Sequence, residues 1–305
     1  IDGEGGNKLN NSKISRSANV MVELLRYFTK SLLKMRHRDI QKIYPQLAIF
    51  NFDLIGRKVT CDGFYDKKNL EFLQDIVFPK LKSRDVFLDI GANIGNHSVF
   101  CADNFNEIYA FEPNLRTFKI LEANAMLKNN IQVFNIGLSN KKHSQTASFD
   151  TGNLGSASLV HAGSDSLTVQ FNLDRFDQLD LLSKDRKIDF IKIDVEGFEL
   201  QALQGCERTL LAHKPVIAME VLKSDMQNGG SAALEYLVLQ GYNFQYCIQE
   251  ASSFWGEHKS ISRLFDAISV LFRGKKRAAT SELVRINGKL SDRDHPMILL
   301  SVAPL

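Results

Sequence analysis

Val86-Phe87-Leu88-Asp89-Ile90-Gly91-Ala92-Asn93-Ile94-Gly95 is the stretch that decides the fold. An apolar run of strand length enters a glycine turn, and a helix is predicted to start at about Asn96. Gly91 and Gly95 let the backbone turn tightly and approach a ligand where a side chain would collide. Asp89 falls at the carboxyl end of the strand, where ligands bind in open α/β sheets.

Working outward, apolar runs recur at 107–111, 131–134, 190–193, 216–219 and 244–247. Helix-length segments such as 115–128 and 200–211 lie between most of them. Such alternation predicts an α/β fold: a Rossmann-like, seven-stranded, mostly parallel sheet with helices on both faces. The run at 297–302 is expected to return as an antiparallel last strand beside the strand before it. Residues 166–171 alternate polar and apolar, as a strand with one wet face would.

Two segments flank this pattern. Residues 1–60 are read as a helical extension, and Ile1 to Gly6, without a start Met, as an expression remnant. Val20-Met21, Leu24-Leu25, Phe28 and Leu32-Leu33 recur at helical spacing, with Arg26, Lys30 and Lys34 on the far face. The plain expectation is a helix on the core with a solvated basic face; contact with a membrane surface or partner is the alternative. Residues 61–305 form the expected catalytic domain, with an insertion at about 250–293 read as a lid or surface-binding element. There the basic, amphipathic stretch 261–277 suits an acceptor lid, contact with anionic lipid, or a homodimer interface.

The composition narrows the partners. A formal charge of +3 over 305 residues, with bases spread among nearly as many acids, argues against nucleic acid. Cys61, Cys101, Cys206 and Cys247 form no C-x-x-C pair, which argues against zinc and against a disulfide framework. No run of eighteen apolar residues and no secretory leader occur, so a cytoplasmic enzyme is expected, with peripheral membrane contact as the variant reading.

The glycine spacing bears on the cofactor. A dinucleotide fingerprint has G-x-G-x-x-G and receives a pyrophosphate at a helix N-terminus. Here the pattern is D-x-G-x-x-x-G, with Asp89 ahead of the glycines. An acid suits S-adenosylmethionine, which is cationic and carries no phosphate, and would repel a pyrophosphate. Glu112, in Tyr109-Ala110-Phe111-Glu112-Pro113-Asn114, ends the second run and is placed to accept both ribose hydroxyls. Its plain alternative is an acid at a helix start. Asn93 in the turn and Asn135 after the third run complete the expected cofactor set.

These residues resemble the FkbM family of methyltransferases. D-x-G-A-N-x-G stands at Asp89 to Gly95, and F-E-P at Phe111 to Pro113. The family's I-K-x-D-x-E-G-x-E hallmark matches Ile191-Lys192-Ile193-Asp194-Val195-Glu196-Gly197-Phe198-Glu199, and its later proline, strand and glutamate match Pro215 to Glu220. The resemblance covers roughly 61–249 and the final strand. It implies S-adenosylmethionine as methyl donor and O-methylation, often of a sugar hydroxyl on a natural product or surface glycan. Leu115 departs from the usual proline, and Gly137 from a common alanine.

Sheet geometry then places the chemistry. The fourth strand lies across the switch point, so Asp194 should emerge beside the donor as general base or substrate anchor, with Glu196 and Glu220 lining the same mouth. An apolar strand beside Asp194 is expected to raise its pKa. His161, in the polar segment 153–164, is the competing base. In plainer readings Glu196 and Glu199 favour a helix start, and Lys192 neutralises either acid. Asp194, Glu196 and Glu220 also suit Mg²⁺ as hard oxygen ligands, although no metal is expected. Two rival functions remain, a nicotinamide-dependent oxidoreductase and a non-catalytic methyltransferase-like binding module.

Overall fold

Apolar residues in β1 (Val86–Ile90) alternate between two faces, and both faces are covered. The computed structural model describes residues 20–51, 53–149, 157–158, 167–183, 185–226, 230–250, 281–288, 290–291 and 293–305. The chain divides into two units, Ile1–Tyr44 and Pro45–Leu305. The first contains helix α1 (Val20–Ile40).

The second unit begins with α2 (Leu54–Asp62) and α3 (Lys67–Phe72), which precede β1. It continues through α4 (Asn96–Cys101), β2 (Glu107–Phe111), α5 (Leu115–Ala125) and β3 (Ile131–Phe134). Next come β4 (Gly137–Leu138), β5 (His143–Phe149), β6 (Ala157–Ser158) and β7 (Leu167–Asp174). Then follow β8 (Ile188–Ile193), α6 (Glu199–Gly205), α7 (Glu207–His213) and β9 (Val216–Val221). The chain closes with α8 (Ala232–Leu239), β10 (Phe244–Glu250), β11 (Ser281–Arg285) and β12 (His295–Ser301).

The main sheet has the order β11-β10-β12-β9-β8-β1-β2-β3. From β9 to β3 all neighbours are parallel, and β12 runs antiparallel between β9 and β10. The expected class and the returning last strand are therefore present, but the sheet has eight strands rather than seven. The extra one, β11, pairs antiparallel with the outer side of β10, so the described part of the expected 250–293 insertion is an edge strand. Its short, half-exposed Ser-Glu-Leu-Val-Arg carries too little apolar signal to be read as one. Residues 251–280, and with them the stretch 261–277, lie outside the described residues. A second sheet, β4-β7-β5-β6, accounts for the polar-apolar alternation near 166–171.

Two layers of side chains hold the sheet. Val86, Leu88 and Ile90 join Leu203, Leu210, Leu234 and Leu237 on one face. On the other, Phe87 and Phe190 meet edge-on with centroids 5.4 Å apart, and Phe78 packs on Phe190 at 5.2 Å. Such pairs contribute about 0.5–1.5 kcal/mol each beyond burial. The chain reverses direction across the sheet between β1 and β8, which sets the switch point where sheet geometry predicted it.

Candidate active site at the carboxyl ends of β1, β2, β8 and β9

At the switch point two strand ends come into backbone contact. Gly91 has φ +75°, and a Cβ there would lie 1.9 Å from the Asp194 carbonyl oxygen. The Asp194 N–H donates to the Ile90 carbonyl at 3.1 Å. Gly91 is thus required by the β1–β8 junction, whatever a ligand needs. Gly95, at φ +83°, brings the start of α4 so close to α5 that a Cβ would meet Leu121 at 2.7 Å. Asn124 of α5 fastens this corner: it donates to the carbonyls of Ile94 (2.7 Å) and Ala48 (2.9 Å) and accepts from the Ala48 N–H (2.6 Å).

Between the glycines, Asn93 adopts φ 51° and donates its N–H to Glu112 Oε2 at 3.0 Å. The Asn114 N–H holds Oε1 at 2.8 Å. Asn135 donates to the carbonyls of Glu112 (2.9 Å) and Pro113 (3.1 Å) from the next strand end. Gly91, Asn93, Gly95, Glu112 and Asn135 therefore gather at the carboxyl ends of β1, β2 and β3. Each Glu112 oxygen keeps a further lone pair for a hydroxyl donor. Burial pushes the Glu112 carboxyl up to about 7, against the two N–H groups that favour its ionised form.

Asp89 lies elsewhere. It sits beneath the turn with no exposed surface, accepting from the Ser98 hydroxyl at 2.6 Å. It therefore presents nothing to a ligand in the cleft. The register pairs it with Lys192 across β1 and β8, directly above Phe87 and Phe190. The Lys192 ammonium lies 3.4 Å from Asp89, 3.5 Å from Asp194, and donates to the Gly91 carbonyl at 2.8 Å. Burial would lower the Lys192 pKa, but Asp89 and Asp194 raise it above its ordinary value.

Asp194 opens onto the mouth, with 42% of its side chain exposed. The expected rise in its pKa does not occur. Burial pushes upward, but Lys192, His97 and a hydrogen bond from Glu220 outweigh it and hold the carboxyl below its usual value. The raised acid is Glu220, on β9. Burial, the Asp194 charge and the hydrogen bond it donates to Asp194 push it up to about 8. Glu196 stands at φ 45° in the loop after β8, while Glu199 accepts the Gly197 N–H at 3.0 Å as a helix-start acid does. His161 lies outside the described residues. No three His, Cys, Asp or Glu side chains among the described residues are grouped to hold a metal ion.

Three further groups join the mouth. His97, one residue into α4, is pushed down to about 4 by burial and by Lys192, so its imidazole is neutral. Its place immediately after the glycine turn was a signal available in the sequence. Tyr65 and Asp66 were not legible, because a contact across thirty-one positions brings them in. The Asn96 side chain accepts the Tyr65 N–H at 2.8 Å and donates to the Tyr65 carbonyl at 2.9 Å. Asp66 is held by Asn69 and pushed up to about 6 by burial and then by Asp194.

The switch point of an open, doubly wound sheet is where α/β domains of this class place their ligand sites. Residues 89–246 match the model of the methyltransferase FkbM domain, and the chain belongs to that family. Hexuronic acid methyltransferase AglP of Haloferax volcanii is 30% identical over 147 residues, covering 47% of this chain and 60% of the relative. AMB antimetabolite synthetase AmbE of Pseudomonas aeruginosa is 27% identical over 225 residues, covering 58% of this chain and 11% of the synthetase. The chain thus spans less than two thirds of either curated relative. A solved structure of methyltransferase FkbM from Methylobacillus flagellatus is 19% identical with a TM-score of 0.38, over 56% of this chain and 40% of that one.

Proposed function

We propose that the chain is an S-adenosylmethionine-dependent O-methyltransferase whose acceptor is a hydroxyl, on a sugar of a glycan or natural product. The observation that carries this reading is the contact of Gly91 with Asp194, which sets the glycine cleft beside an ionised carboxylate. Family membership supports the methyl-transfer class over hydride transfer. The sugar acceptor draws on the hexuronic acid named for the Haloferax relative.

The residues fit the donor. Glu112 offers a carboxylate with spare lone pairs, and the turn from Gly91 to Gly95 holds the Asn93 N–H against it. When bound, S-adenosylmethionine supplies an activated methyl group on a sulfonium. Glu112 then orients the ribose, and the Asn93 and Asn135 contacts keep Glu112 itself in place. Asp194 accepts the proton that the acceptor hydroxyl loses, which contributes about a hundred- to ten-thousand-fold. Lys192 keeps that carboxylate ionised before the proton arrives. Glu220, protonated beside it, and Glu196 line the acceptor side. Asp89 acts on the cleft through Lys192 rather than by contact.

Calorimetric titration with S-adenosylhomocysteine and with NAD⁺, on the wild type and on Glu112→Ala, tests the reading. Binding of the nucleoside alone, weakened by the substitution, is expected. Silence toward it would sink the proposal.

A further inference from the structure

We propose that α1 seats on an anionic lipid surface. Leu24, Leu25, Phe28, Leu32 and Met35 are all exposed, with 48 to 65% of each residue open to solvent. At 3.6 residues per turn they fall on one arc of the helix, about 100° wide. Lys30 and Lys34 stand on the opposite side, and the helix holds five Lys and Arg against Glu23 and Asp39. An apolar stripe under a basic face is the pattern of a helix lying in the headgroup plane. Long basic side chains then reach the anionic headgroups while their stems cover apolar surface. Tyr27, 68% exposed, lies outside the stripe on the side of Lys34.

The same stripe fits other occupants poorly. Leu25, Phe28, Leu32 and Met35 keep coiled-coil spacing, but the next position is Asp39, far short of three or four heptads. The residues flanking that seam toward its end are Arg36 and Arg38, which would face like charges in a second copy. Spanning the bilayer is excluded too, because no helix among the described residues is long and apolar enough.

Flotation of the full chain with vesicles tests the seat. Vesicles of phosphatidylcholine alone are compared with vesicles also containing phosphatidylglycerol, at low and high salt. The wild type is expected to float with the anionic vesicles, to leave neutral ones, and to be released by salt. Phe28→Ser/Leu32→Ser and Lys30→Glu/Lys34→Glu are each expected to lower binding by about tenfold or more. S-adenosylhomocysteine binding should be unchanged in both, which separates the two proposals. Absence of flotation, or equal binding to neutral vesicles, would overturn the inference. So would binding that survives both variants, or light scattering that finds a dimer which Phe28→Ser/Leu32→Ser dissolves.

Discussion

At the amino-terminal end of the sheet, Arg186 lies between Asp85 (2.5 Å) and Glu107 (2.9 Å), and Asp189 accepts from the Ser83 hydroxyl and the Asp85 N–H. At the carboxyl end, Asp89, Glu112, Asp194 and Glu220 converge on a single buried lysine. Burial pushes the Asp85 carboxyl up, but the Lys187 N–H, Asn106 and Arg186 hold it below its usual value. Glu112 and Glu220 rise instead. A 490 Å³ cavity lined by Lys82, Arg84, Asp103 and Asn106 belongs to the amino-terminal end. Paired charges therefore settle the acids at one end of this sheet, while two acids at the other, Glu112 and Glu220, are pushed up by burial.

The largest loss is expected from Asp194→Asn. Methyl transfer is expected to fall about 10²–10⁴-fold in kcat, with S-adenosylhomocysteine affinity nearly unchanged by calorimetry. Equal activity would remove the chemistry from this end. Next comes the cation. Lys192→Met leaves Asp89 charged, buried and unpaired, at a cost of about 3–5 kcal/mol in urea unfolding. Arg186→Met, in a network that water still reaches, should cost less. Smaller still, Asn96→Ala frees the Tyr65 backbone and should cost about 1–2 kcal/mol. The acceptor KM is expected to rise, while nucleoside binding holds.

The last effect differs in sign between the ends. Glu220 is raised in the folded state, so the stability it contributes is present below its ordinary pKa of 4.5 and lost as pH rises through about 8. Asp85 is lowered, so its contribution is present above its ordinary 3.8 and lost as pH falls through the depressed value. Urea midpoints measured across pH should flatten on the alkaline side in Glu220→Gln and on the acid side in Asp85→Asn. Identical profiles would mean that the ends do not differ.

What was legible follows the range of the forces involved. The turn from Asp89 to Gly95 and the acid at Glu112 are local patterns, and strand periodicity set Asn93 of the turn beside Glu112, though not Asp89. β5, His143-Ser144-Gln145-Thr146-Ala147-Ser148-Phe149, has no apolar run, and its pairing with β7 could not be anticipated. Gly137, in place of alanine, packs against Leu173 and Pro113, and a Cβ there would require the Leu173 side chain to shift. The ionisation of Asp194 depends on charges from β8, β9 and α4 together, which is why an argument from its own strand pointed the wrong way. Tyr65 and Asp66 were invisible because one asparagine, far along the chain, grips their backbone.

The Asn124 contact bears on how the molecule can be dissected. One amide stitches residue 48 to the corner between α4 and α5, so those early residues belong to the larger unit as surely as any strand. A shortened enzyme should therefore begin at Pro45, since starting it at 60 would also discard the Asp53 cap of α2.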